Sequence, residues 1–134
     1  MSDNRQLITE AFAAWAEGDS RPFFALVHDD VTWTVIGSTT ISGTFEGKRA
    51  FLDGAIAPMG KALATPLRAE VLGVLADGDE VAVRWVGRSS SRTGRPYVQT
   101  YCWVMRLAAG RVVEVTAYLD TELLTAVLAD AAAG

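Results

Sequence analysis

This chain is poor in the residues that most often carry protein chemistry. Its 134 residues include one cysteine and one histidine. Cys102 has no partner for an internal disulfide and no second thiolate for a zinc site. It reads as a small apolar member of a strand, the usual place of a free cysteine. Asp29 and Asp30 have no further ligand cluster beside them, so no metal site is expected, and no cofactor. Positive charge is also short: 12 Lys and Arg stand against 16 Asp and Glu, for a formal net charge of −4. That balance argues against a nucleic-acid partner, which needs a basic footprint. No run reaches the roughly 18 apolar residues of a membrane span, so no membrane partner is expected. The start, Met-Ser-Asp-Asn-Arg-Gln, lacks the basic-then-apolar pattern of a signal peptide, so a cytoplasmic protein is expected. Gly43 to Gly47 lacks the Lys-Ser/Thr pair of a phosphate loop. Ser89-Ser90-Ser91 has no histidine placed to activate a nucleophile. There is no internal repeat and no linker.

Apolar residues, by contrast, make up 50% of the chain, rich for a soluble monomer. The surplus fits either an enclosed apolar cavity or a buried subunit interface. The length fits a single domain, residues 1–134, able to bury a core without disulfide or metal staples.

The second half is the more legible. Leu67 to Asp120 reads as four consecutive strands. Side chains two apart share a sheet face. Val81, Val83 and Trp85 therefore join Tyr97, Gln99, Tyr101, Trp103 and Met105, and then Val113, Val115, Ala117 and Leu119, in one apolar, aromatic wall. The other side carries Arg84, Arg88, Thr100, Cys102, Arg106, Glu114, Thr116 and Tyr118, which suits a partly polar interface or a solvated face. Asp77-Gly78 signals a tight hairpin. Arg92-Thr93-Gly94-Arg95 and Ala108-Ala109-Gly110 mark two further turns.

The first half supplies what the wall faces. Leu7, Ile8, Ala11, Phe12 and Trp15 recur at helical spacing, giving a helix over residues 3–17 that Ser2 or Asp3 caps and Gly18 ends. A short second helix follows Asp19 or Ser20, with Pro22 in its first turn and Phe23, Phe24, Leu26 and Val27 on its buried side. Val31 to Ile36 is a strand with Trp33 and Val35 on one face. Gly37 to Gly47 reads as a loop. A third helix, about Lys48 to Pro58, buries Phe51, Leu52, Ala55 and Ile56. Leu123, Leu124, Val127 and Leu128 suggest a short terminal helix, fraying from Ala131 to Gly134. Helices first and a strand meander afterwards give an α+β domain, a curved antiparallel sheet covered by N-terminal helices.

Several motifs occur in a telling order: Ala16-Glu17-Gly18-Asp19, Asp29-Asp30-Val31-Thr32-Trp33, Gly43-Thr44-Phe45-Glu46-Gly47-Lys48, Gly110-Arg111-Val112-Val113-Glu114-Val115 and Tyr118-Leu119-Asp120. Over residues 5–128 they resemble the nuclear transport factor 2-like superfamily. Within it they are similar to SnoaL-like polyketide cyclases, ketosteroid isomerases and limonene-epoxide hydrolases. The resemblance implies a cone-shaped α+β barrel, or cystatin-like roll, with a pocket between helices and sheet, and a homodimer formed through the opposite face. It also implies where catalytic groups would stand. The isomerase general base falls at Val35 or Thr34, its protonated aspartate near Trp103, and its tyrosine near Ala11 or Phe12. The hydrolase tyrosine and asparagine match Trp33 and Val35. Its arginine and aspartate fall near Trp85 and Gly87, and its second aspartate at Ala117. Apolar residues replace these groups. Asp120 does match the aspartate that closes the last strand in many members, and its place suggests a cap for the terminal helix.

The candidate ligand-binding residues are therefore Trp15, Trp33, Val35, Met59, Trp85, Gln99, Tyr101, Trp103 and Ala117. The four tryptophans either fill a core or outline an aromatic box for a flat apolar molecule or a cation held over ring faces. Gln99 and Tyr101 either orient a ligand or bond to loop backbone at the rim. The weaker catalytic candidates are His28, Tyr101 and Asp120. His28 is a capping or ion-paired residue, or else a base tuned by its acidic neighbours. The reading is a small-molecule-binding protein of unassigned catalytic activity. The alternatives are an isomerase, cyclase or epoxide hydrolase acting on a hydrophobic cyclic substrate, or a protein–protein adaptor with a filled interior.

Overall fold

In a computed structural model that describes residues 3–133, helix α1 spans Asn4–Ala16. The Asp3 carboxylate accepts the Gln6 N–H at 3.0 Å and so caps it. The alternative cap Ser2 and the terminal Gly134 lie outside the described residues. Gly18 takes φ +96°, the left-handed turn that lets the chain leave the helix. Helix α2 is Arg21–Leu26. Val27, expected on its buried side, instead opens strand β1, Val27–Val35. The strand thus begins four residues before Val31 and takes in His28-Asp29-Asp30.

The stretch expected as a plain loop contains strand β2, Gly43–Glu46, paired antiparallel with β1. Four residues among Gly, Ser and Thr are too short to show a period, and β1 templates them. The third helix is interrupted. Helix α3, Lys48–Phe51, passes through a π-helical turn at Leu52–Ile56 into α4, Ala57–Ala62. Strands β3 (Arg68–Asp77), β4 (Glu80–Ser90), β5 (Pro96–Ala108) and β6 (Arg111–Leu119) form the long meander. Helix α5, Thr121–Ala133, is longer than the short helix expected.

The six strands lie in the order β2-β1-β6-β5-β4-β3. All neighbours are antiparallel except β1 and β6, which run parallel. The architecture is α+β, and the curved sheet stays unclosed, with β2 and β3 at its edges. Helix α1 packs over β3 and β4, while α5 packs on α4 and β5.

One part of the wall needs correction. Val113 is not on it. The register shifts between Arg106 and Leu107, so Val112 pairs with Leu107 and is fully buried, while Val113 is only half-buried. The extra residue of the bulge moves the inward positions of early β6 by one.

The wall faces the core. Trp85 and Trp103 are buried, and both meet the rings of Phe12 and Trp15 on α1. The remaining aromatics join them: Phe23 reaches Trp103, and Trp33 stacks on Phe51 with centroids 3.9 Å apart. Gly87 makes part of this packing possible. A Cβ there would come within 3.0 Å of the Trp85 ring and 3.1 Å of the Tyr101 ring.

Candidate functional site

Between the helices and the concave side of the sheet lies a cavity of about 390 Å³. Ligand cavities run from about 300 to 1,000 Å³. Trp33 and Val35 of β1, Trp85 of β4, Tyr101 and Trp103 of β5 and Ala117 of β6 form its floor. Trp15 of α1, Phe24 of α2, and Ala55, Ile56 and Met59 of the broken third helix form its roof. The wall and roof converge because inward positions two apart on four adjacent strands meet the apolar stripes of the helices.

Eight of the nine sequence-derived ligand-binding candidates line this space: Trp15, Trp33, Val35, Met59, Trp85, Tyr101, Trp103 and Ala117. Gln99 does not. It is fully buried at the far end of the same face and bonds to the chain itself. Its Nε2 donates to the Asp120 carbonyl at 2.9 Å and to the Tyr97 hydroxyl at 3.2 Å. Its Oε1 accepts the Asp120 N–H at 2.8 Å. Alternation put Gln99 on the correct face but could not say that α5 would close over that end of β5. Tyr97 is fully buried for the same reason, with Ala62, Leu63 and Val127 around it.

Of the three catalytic candidates, Tyr101 alone borders the cavity. His28 sits half-buried on β1, its Nδ1 accepting the Asp30 N–H at 2.9 Å. The Asp120 carboxylate accepts the N–H groups of Glu122 and Leu123 at 3.0 and 3.2 Å, which caps α5. Among the described residues no carboxylate or imidazole side chain lines the cavity. No three of His, Cys, Asp or Glu gather as a metal site among them either.

The polar lining is sparse: Ser20, Thr65, Arg92 and Tyr101. Arg92 donates through Nε to the Lys61 carbonyl at 2.6 Å and through Nη2 to that of Gly60 at 3.2 Å, tying the β4–β5 turn to the end of α4. The Tyr101 ring lies flat on Trp85, centroids 4.3 Å apart, and its hydroxyl is 2.8 Å from that of Tyr97. Burial pushes the Tyr101 phenol well above its ordinary 10.0, and proximity to Tyr97 adds to the rise. Tyr97 is also raised, chiefly by burial, against the opposing effect of its hydrogen bonds to Tyr101 and Gln99. Both hydroxyls therefore keep their protons at neutral pH.

The indoles differ in how their N–H groups are met. Trp15 Nε1 donates to the Leu67 carbonyl at 2.9 Å. Trp85 and Trp103 Nε1 are sealed from solvent without a hydrogen-bond partner. Such a group costs about 1–3 kcal/mol. The neighbouring rings stand edge to face, at 84° between Trp85 and Trp103 and 86° between Trp33 and Trp103.

Residues 8–115 match the SnoaL-like domain family. The chain belongs to this family. Solved structures similar to this SnoaL-like protein agree on the fold. A nuclear transport factor 2-like protein of unknown function from Burkholderia pseudomallei is 23% identical, with a TM-score of 0.79 over 96% of this chain and 98% of that one. A protein of unknown function with a cystatin-like fold from Xanthomonas campestris is 21% identical, with a TM-score of 0.79 over 95% and 98%. TerC, co-crystallised with polyporic acid, is 19% identical, with a TM-score of 0.78 over 96% and 99%. No curated protein sequence matches the chain significantly. None of the described helices is long and apolar enough to cross a membrane.

The SnoaL-like cavity also has lining that the sequence did not single out. Ile41 stands alone among Gly, Ser and Thr, yet is buried against the space. The Ser42 hydroxyl donates to the Ile36 carbonyl at 2.9 Å and folds that loop inward. Leu63, Leu124 and Arg92 arrive from distant segments, which no local pattern links. Ile56, expected to be buried, is 36% exposed and sits on the roof, where the π-helical turn rotates it off the helix's inner stripe.

Proposed function

We propose that this SnoaL-like protein binds a small, largely apolar or aromatic molecule in the cavity between helices and sheet. The observation that carries the reading is the aromatic lining around open space with no carboxylate or imidazole on it. General acid–base catalysis commonly contributes about 10²–10⁴-fold and most often uses such a group. Binding without proton transfer is therefore the leading reading. TerC, a protein of the same fold co-crystallised with polyporic acid, supports it. An enzyme that uses the Tyr101 hydroxyl as a hydrogen-bond donor is the second reading, because this candidate alone reaches the cavity. The adaptor reading expected a filled interior, and the cavity weighs against it.

Four indoles border the space, so tryptophan emission should report occupancy directly. Titration with steroid-like, polyketide-like and terpene-like compounds is expected to give saturable quenching or a blue shift with at least one class. A flat response to all three would overturn the reading.

The resemblance also implies a homodimer, and we take the outer sheet face as its interface. Val98 and Tyr118 there are 48% and 45% exposed, and Leu72 at the β3 bulge is 47% exposed. Arg106 and Glu114, paired at 3.5 Å, supply the polar part. Sedimentation should give a dimer for the native chain and a monomer for Tyr118→Asp. A monomeric native chain at micromolar concentration would refute this assignment.

A further inference from the structure

Resting on the pocket reading above, we propose that Tyr101 is the specificity-determining donor of the cavity: its hydroxyl proton is presented inward, and it selects ligands that carry an acceptor oxygen on an apolar framework. The argument is one of hydrogen-bond polarity. The Asp120 N–H donates to one end of the Gln99 amide at 2.8 Å, so that end is the oxygen. The other end is then the NH₂. It is spent on the Asp120 carbonyl at 2.9 Å and the Tyr97 oxygen at 3.2 Å. Tyr97 thus accepts from Gln99, and its own proton must find an acceptor. It is fully buried, and the acceptor in reach is the Tyr101 oxygen at 2.8 Å.

The reverse polarity would have Tyr101 donate to Tyr97. The Tyr97 proton would then be sealed among Ala62, Leu63 and Val127 without an acceptor, an arrangement folded proteins avoid. The relay therefore runs from Gln99 to Tyr97 to Tyr101, and the Tyr101 proton is left over. Tyr101 is among the residues lining the cavity, so a ligand acceptor there is the partner we assign to that proton. Each donor in such a chain polarises the next, so the last is the strongest.

The other polar lining groups are committed or peripheral. The Ser89 hydroxyl donates to the Thr65 carbonyl at 2.7 Å, so the Thr65 hydroxyl spends its proton on Ser89 Oγ at 3.0 Å. Arg92 is engaged with the end of α4. Ser20 is half-buried at the start of α2. The orphan nitrogens of Trp85 and Trp103 are sealed away from anything the cavity holds.

The test compares two planar probes of nearly equal shape, 2-acetylnaphthalene and 2-isopropenylnaphthalene, on the native chain, Tyr101→Phe and Tyr97→Phe. The ketone should lose about 2- to 12-fold in affinity on Tyr101→Phe, the range of one neutral hydrogen bond, while the hydrocarbon is unaffected. The carbonyl stretch of the bound ketone should lie at lower frequency in the native chain than in Tyr101→Phe, with Tyr97→Phe between them. Unchanged hydrocarbon binding shows that the variants are folded. Equal ketone affinity and an unmoved carbonyl band would overturn the donor while leaving the pocket standing. Failure of both probes to bind the native chain would overturn the pocket reading, and the donor with it.

Discussion

Replacing Trp85 with alanine is expected to lower stability by about 3–5 kcal/mol, the range for truncating a buried large aromatic. Trp85 is 0% exposed. Its ring lies 4.3 Å from Tyr101, 4.9 Å from both Trp15 and Trp103, and 5.4 Å from Phe12. Removal strips contacts from two strands and from α1 together, so the loss is not local. The neighbouring rings cannot collapse freely, because Gly87 already brings them close to the backbone. In urea, with a slope of about 1–3 kcal/mol per molar, the midpoint should fall by more than about 1 M. Far-UV circular dichroism during the titration measures this. A loss below about 0.5 kcal/mol is typical of a surface substitution and would contradict the inward placement of the wall.

The second large effect concerns the cavity. Ala117→Phe is expected to weaken binding of any ligand that reaches the floor by close to two orders of magnitude. Ala117 is 4% exposed, pairs with Trp103 on β5 and Val35 on β1, and borders the space. A phenyl ring there would project into the cavity. Displacing about 100 Å² of ligand contact at about 25 cal/mol per Å² forfeits about 2.5 kcal/mol. Overpacking a filled core costs about 1–3 kcal/mol, and an open space should absorb the ring for less. Titration of tryptophan emission gives the affinity, and a urea melt of the same sample gives the stability. Native-like affinity in a folded variant would place the ligand elsewhere. A variant that loses several kcal/mol would mean that the space is core rather than cavity.

These outcomes depend on features of unequal legibility. Trp85, Trp103 and Tyr101 could be placed because a strand has a period of two, and an inward residue stays inward unless a bulge intervenes. The β6 bulge is where that logic slipped, exchanging Val113 for Val112. Strand β2 was missed because four residues are too few to show a period, and they pair only beside β1. The cap role of Asp120 was legible from its place between a strand and an apolar helical stripe, and the carboxylate makes those bonds. The duty of Gln99 was not, because its partners Tyr97 and Asp120 meet it only when α5 folds back.

By itself, the sequence determined the face each late-strand side chain occupies, the absence of acid and base from the inward positions of the wall, and the family to which the whole pattern belongs. These follow from backbone geometry and residue chemistry, which act locally. The tertiary structure alone decided that four indoles leave open space instead of packing it solid. It also decided that Gln99 spends its amide on Tyr97 and Asp120 instead of facing the cavity. Both depend on how distant segments meet, and the direction of a hydrogen bond is defined only when every neighbour is in place.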